Sequence, residues 1–101
     1  MVAYPGWRAY LAREVETYRL GLSPIHPEDA YLLAFIRDYR RARGHSPSLR
    51  DIARKMGWAS WNTAWLRVGR LNHSGWLDHE FNRERTLRLT AKGTAFLAEV
   101  L

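Results

Sequence analysis

The sequence predicts one domain that is mainly α-helical, with a small β-hairpin near its C-terminal end. Three observations predict it. At 101 residues the chain can build one real core and is too short for two. Apolar residues recur at helical spacing in several segments, each closed by a glycine or a turn. After Gly75 the period changes, and two short segments with strand character flank a polar turn.

The first segment, Trp7–Leu20, places Trp7, Tyr10, Leu11, Val15, Tyr18 and Leu20 mostly at helical spacing and mixes Glu14 and Glu16 with Arg13 and Arg19. It reads as an amphipathic helix ended by Gly21, and Leu22–Pro27 is a turn-rich link. Residues 1–26 are thus expected to form an N-terminal helix and link, with residues 27–101 as the main domain. A second helix starts at Pro27, which suits a first-turn position, and Glu28 and Asp29 favour its positive dipole end. It runs to Arg43, with Leu32, Phe35, Ile36 and Tyr39 on one face, and Gly44 stops it. The Arg37–Arg43 cluster fits a solvated helix end matched to the dipole better than it fits a binding patch.

His45-Ser46-Pro47-Ser48 reads as a short extended piece. Ser48-Leu49-Arg50-Asp51 carries a capping signal for a brief helix, Leu49–Met56, that buries Leu49, Ile52, Ala53 and Met56. Gly57 closes it in left-handed geometry. Ser60 is the N-cap of a fourth helix that ends at Gly75, with Trp61, Ala64, Val68 and Leu71 expected on the core face. Trp76–Phe81 and Thr86–Thr90 read as strands around Asn82–Arg85, and Thr90 caps a last helix, Ala91–Leu101, with Phe96, Leu97 and Val100 as its apolar stripe. Two helices joined by a tight glycine turn and followed by a hairpin make a winged helix-turn-helix, here with an extra helix at each end.

Composition narrows the function. The net charge is +6, and 14 of the 16 basic residues are arginine, giving a sequence pI near 10.3. A GC-rich coding bias accounts for arginine over lysine but not for the positive balance, which favours nucleic acid as a partner without deciding it. The absence of cysteine excludes disulfides, thiolate metal sites and cysteine nucleophiles. There is no apolar run of membrane-spanning length and no signal-peptide pattern at the start, so a cytoplasmic protein without membrane association is expected. Paired carboxylates, phosphate loops and nucleophile elbows are missing, so no enzyme and no cofactor is expected. His73 and His79 lie on different elements with no matched third ligand, so no metal is expected either.

The stretches Phe35–Tyr39, Gly44-His45-Ser46-Pro47-Ser48-Leu49-Arg50-Asp51-Ile52-Ala53, Gly57-Trp58, Ser60–Ala64 and Leu71–Leu77 resemble, in matching register, the DNA-binding domain of LexA-type repressors. Leu89-Thr90-Ala91-Lys92-Gly93 is a looser ending common to many winged-helix regulators. The resemblance covers about residues 27–97 and implies a transcriptional regulator that binds double-stranded DNA sequence-specifically. The helix after the turn, about residues 60–74, would lie in the major groove and the wing, about 76–90, on the backbone. The self-cleaving serine–lysine domain of such repressors is not expected in this chain, whose lysines are Lys55 and Lys92 alone.

Carried over by position, the resemblance implies base readout by Ser60, Asn62, Thr63, Trp65 and Leu66. Asn pairs bidentately with adenine and the Thr methyl meets a thymine methyl. Trp65 and Leu66 depart from the family's polar pattern. Ser48 and Arg50 at a helix start, Arg67 and Arg70 on the recognition helix, and Arg83 and Arg85 at the wing tip are the candidate backbone contacts. For Arg67 and Arg70 a plain solvated face is an equal reading. The alternative function is a winged-helix protein-interaction module that modulates the transcription machinery through Trp61, Trp65 and Leu66. A homodimer built by one or both terminal helices is expected, because one recognition helix covers few base pairs.

Overall fold

A computed structural model describes residues 25–80 and 85–100 of the chain. The helix expected over Trp7–Leu20 and most of the link after it lie outside the described residues. So does the centre of the wing, residues 81–84, with Arg83. The described elements are helices α1 (Pro27–Arg43), α2 (Leu49–Met56) and α3 (Trp61–His73), strands β1 (Leu77–Asp78) and β2 (Arg88–Leu89), and helix α4 (Ala91–Val100).

Helix α1 begins where a proline at its first position and an acidic first turn favour it. His26 supplies the cap: its Nδ1 accepts from the backbone N–H of Glu28 at 3.1 Å. The helix is enclosed on more than the one face expected. Leu32, Leu33, Ala34 and Ile36 are wholly buried, whereas Phe35 and Tyr39 are half-buried at the margin. Helix α1 packs against β2 and α4, while α2 packs against α3. Ile52 from α2, Ala64 and Leu71 from α3, Leu77 from β1 and Leu97 from α4 complete one core. Each fully enclosed Leu or Ile contributes roughly 1.5–3 kcal/mol.

The helix-turn-helix follows from its caps. Ser48 and Asp51 form a reciprocal capping box: the Ser48 Oγ accepts from Asp51 N at 3.0 Å, and an Asp51 carboxylate oxygen accepts from Ser48 N at 3.0 Å. Gly57 ends α2 at φ 76°, where a side chain would be strained, and turns the chain toward α3. Ser60 Oγ then accepts from Asn62 N at 3.0 Å and starts α3. Helix α3 stops at His73, with Ser74 N donating to Arg70 O, two residues before the expected Gly75.

The wing is shorter in strand than expected. It pairs Leu77 with Leu89 and Asp78 with Arg88, antiparallel, and the Asp78 and Arg88 side chains form an ion pair at 3.0 Å across that register. Farther out, the Glu80 N–H donates to the Thr86 hydroxyl at 3.0 Å, and residues 79–80 and 86–87 are not strand. The extended piece at 45–48 is not part of the sheet. Ser46 is buried there and joins the wing by single bonds.

Thr90 caps α4, its Oγ1 accepting from Gly93 N at 3.2 Å. A side-chain carbon at Gly93 would lie 2.7 Å from the Trp76 carbonyl oxygen, so only glycine lets α4 come this close to the wing root. There Phe96 meets Trp76 edge-to-face with ring centroids 5.3 Å apart. The Phe96–Leu97 part of the expected stripe therefore belongs to the core of the same chain.

Candidate nucleic-acid interface

Helix α3 has three sides. Ala64, Val68 and Leu71 face the core. Thr63 and Arg67 lie on the α1 side, where the Arg67 guanidinium donates to Asp29 Oδ1 through Nε at 2.9 Å and Nη2 at 2.7 Å. Nη2 also lies 2.9 Å from a Glu28 carboxylate oxygen, and the guanidinium stands over the Trp58 ring at 5.3 Å. The Asp29 side chain is only 8% exposed. Arg67 is thus the counter-charge of a buried carboxylate, joining α3 to α1 rather than reaching outward.

The third side is open. Asn62, Trp65, Leu66, Gly69 and Arg70 are all exposed on it, with Ser60 at its start. Trp61 is exposed as well, at 51%. This corrects the expectation that it packs inward with Ala64. Trp61 lies at the N-terminal end of α3 and, with Trp65, Val68, Gly69 and Asn72 along the same helix, lines an open groove of about 900 Å³. Ser48, Leu49 and Arg50 at the start of α2 form the opposite wall, and Arg85 and Thr86 of the wing close one end.

The wing is docked to this groove from below. Leu87 N donates to the buried Ser46 hydroxyl at 3.1 Å, Ser46 N donates to Arg85 O at 3.2 Å, and Arg40 Nη1 donates to Leu87 O at 3.0 Å. Arg85, at φ 57°, then turns its Nη1 onto an Asp51 carboxylate oxygen at 3.1 Å. That same oxygen accepts from the Tyr39 hydroxyl at 3.4 Å. The Asp51 pKa lies below its ordinary 3.8, chiefly because the Ser48 backbone N–H bonds the carboxylate. Desolvation opposes this, the Ser48 hydroxyl and the Arg85 guanidinium add to the lowering, and the net shift is downward. One carboxylate therefore caps α2 and positions the wing.

The sequence-predicted residues separate accordingly. Ser60, Asn62, Trp65, Leu66 and Arg70 share the open side of α3, with Thr63 half-buried at its α1 edge; Ser48, Arg50 and Arg85 meet across the groove. Arg67 is turned to Asp29, and Arg83 lies outside the described residues. Arg50 and Arg70 are the two arginines, among the described residues, whose side chains make no ion pair, hydrogen bond or ring contact. Arg37, Arg41, Arg54 and Arg88 have carboxylates, Arg40 a carbonyl, and Arg43 the Tyr39 ring. Sequence reasoning missed Ser46 and Arg40 as wing anchors. Ser46 and its partner Leu87 stand 41 residues apart, and no local pattern links them.

A short capped helix, a glycine turn, a second helix with an open outer side and a hairpin docked beside it define a winged helix-turn-helix domain. The chain belongs to the LexA DNA-binding domain family, whose model matches residues 23–86. It is 37% identical over 68 residues to LexA repressor 1 of Xanthomonas oryzae pv. oryzae, a match that covers 67% of this chain and 33% of that protein. It is 32% identical over 68 residues to LexA repressor 2 of Pseudomonas syringae pv. tomato, covering 67% of this chain and 34% of that one. The chain thus matches about a third of the length of these curated relatives. In fold it is similar to MepR, a transcription regulator of the Staphylococcus aureus multidrug efflux pump MepA, with a TM-score of 0.64 at 15% identity over 98% of this chain and 74% of that one. The transcriptional regulator PA3341 shares the fold too, with a TM-score of 0.56 at 25% identity over 95% of this chain and 66% of that one.

Proposed function

We propose that this protein is a transcriptional regulator that binds double-stranded DNA sequence-specifically, with α3 in the major groove and the wing on the flanking backbone. The observation that carries the reading is the open side of α3. It presents Asn62 between uncommitted cations, Arg70 on the same helix and Arg50 across the groove, and α3 contains no acidic residue. Asn62 reads a base edge, with Ser60, Thr63, Trp65 and Leu66 around it. Arg50, Arg70 and Arg83 contact phosphates. Arg85 does so as well, since only its Nη1 is engaged by Asp51 and Tyr39. Ser48 holds the start of α2 so that its free backbone donors face a phosphate. Arg67 drops out of the contact set because Asp29 holds it.

Selection from a random duplex library at low salt, followed by sequencing of the retained DNA, tests the reading. Asn62→Ala is expected to relax preference at one position by about 1–3 kcal/mol. Equal retention of selected and scrambled duplexes by both wild type and variant would reject base readout. Two copies are expected on a two-part site. With Phe96 and Leu97 of α4 packed into the core, the N-terminal segment is the better candidate for the dimer contact, and light scattering of the chain with and without residues 1–24, which leaves core residue Ile25 and the His26 cap in place, decides it. No helix among the described residues is long and apolar enough to cross a membrane. A cytoplasmic protein acting beside the DNA fits this reading.

A further inference from the structure

We infer that α3 selects its site through thymine C5-methyl groups, met by Trp65 and Leu66 beside the notch left by Gly69; this rests on the duplex-binding reading above. Asn62, Trp65, Leu66 and Gly69 follow the spacing i, i+3, i+4, i+7 and form one outward stripe of the helix. Trp65 is 57% exposed and Leu66 56%, and Trp61, Trp65 and Gly69 carry the apolar surface into the groove. The polar capacity of the stripe is small. Asn62 is its one bidentate group, and the Ser60 hydroxyl beside it already accepts the cap bond.

The charge around this surface selects the occupant. Helix α3 carries no carboxylate, and the unpartnered Arg70 and Arg50 flank the stripe, so a polyanion is favoured. Within a major groove an apolar side chain needs an apolar counterpart, and the thymine methyl is the apolar group that the groove floor displays. Gly69 fits the same picture. A glycine in mid-helix is unfavourable, and here a side-chain carbon would meet nothing within 4 Å, so no packing contact requires it. It lowers the surface beside Trp65 and lets base edges approach the helix closely.

The test alters the DNA first and the protein second. A duplex retained by the full chain is resynthesised with deoxyuridine in place of thymine, one position at a time, which removes the methyl and keeps the base pair. Affinity is expected to fall about fourfold at each contacted methyl, the effect of one buried methyl-sized group. Leu66→Asn and Trp65→Gln, both at exposed positions, are expected to bind the thymine and deoxyuridine duplexes alike at the position each one covers. If the wild type prefers its site over scrambled DNA yet ignores the substitution everywhere, the inference is overturned and duplex readout stands. If no duplex is preferred at all, the underlying reading fails instead, as it would if α3 bound a protein partner.

Discussion

The guanidinium of Arg67 on α3 neutralises the buried carboxylate of Asp29 on α1. The place of Arg67 on the recognition helix suggests a phosphate contact, but α1 sets Asp29 within 2.7 Å of it and buries that carboxylate. Removing the guanidinium leaves a buried charge with no counter-charge, which costs more than the pair itself contributes. Arg67→Met is expected to lower folding stability by about 2–3 kcal/mol, read by urea denaturation. The salt dependence of DNA binding is expected to stay at the wild-type slope, measured below the variant's melting temperature. A slope reduced by about one would return Arg67 to the DNA-contact set. Trp61 makes the opposite point. Helical spacing allies it with Ala64 and Val68, but the spacing does not reveal the groove that Trp61 lines with Trp65, Gly69 and Asn72.

At the scale of elements, two glycines in helices have opposite reasons. Gly93 is required by the approach of α4 to the Trp76 carbonyl, so Gly93→Ala forces α4 away from the wing root and is expected to cost about 1–3 kcal/mol. Gly69 has no such neighbour, so Gly69→Ala is expected to stabilise the fold by about 0.5–1 kcal/mol. Thermal melts of the two variants should move in opposite directions, and a fall for Gly69→Ala would mean that the glycine serves the fold. The cap of α2 brings a pH dependence. Folding lowers the Asp51 pKa, so its contribution is complete above the ordinary 3.8 and disappears as pH falls through the lower folded value. Asp51→Asn is expected to cost about 1 kcal/mol at neutral pH, and the gap to wild type should close in strongly acidic buffer. A gap that persists there would show that the carboxylate charge is not what the cap and the Arg85 contact use.

For the whole molecule, the sequence made the helical framework legible because caps, glycines and apolar spacing are local signals. Helix bounds at Pro27, Arg43, Leu49 and Met56 agree with the structure for that reason. What it hid is long-range: Ser46 and Arg40 holding Leu87, and Asp29 claiming Arg67. Of the candidate interface, the open side of α3 was legible from family register, but the division of arginines into bound and free was not. That division sets a quantitative expectation for DNA binding. If Arg50, Arg70, Arg83 and Arg85 each neutralise one phosphate, the logarithm of the binding constant should fall with the logarithm of salt at a slope of about −3.6 per copy. Between 50 and 200 mM salt that is about a hundredfold loss of affinity. Arg50→Ala and Arg70→Ala should each flatten the slope by about 0.9 without changing which duplex is preferred, because phosphate contacts carry no sequence information. Arg41→Ala, at an exposed position on α1 that does not line the groove, is the control and should leave the slope unchanged. A slope that responds to Arg41 as strongly as to Arg50 would mean that the positive charge acts as a diffuse field, and that the groove between α2, α3 and the wing is not where the duplex lies.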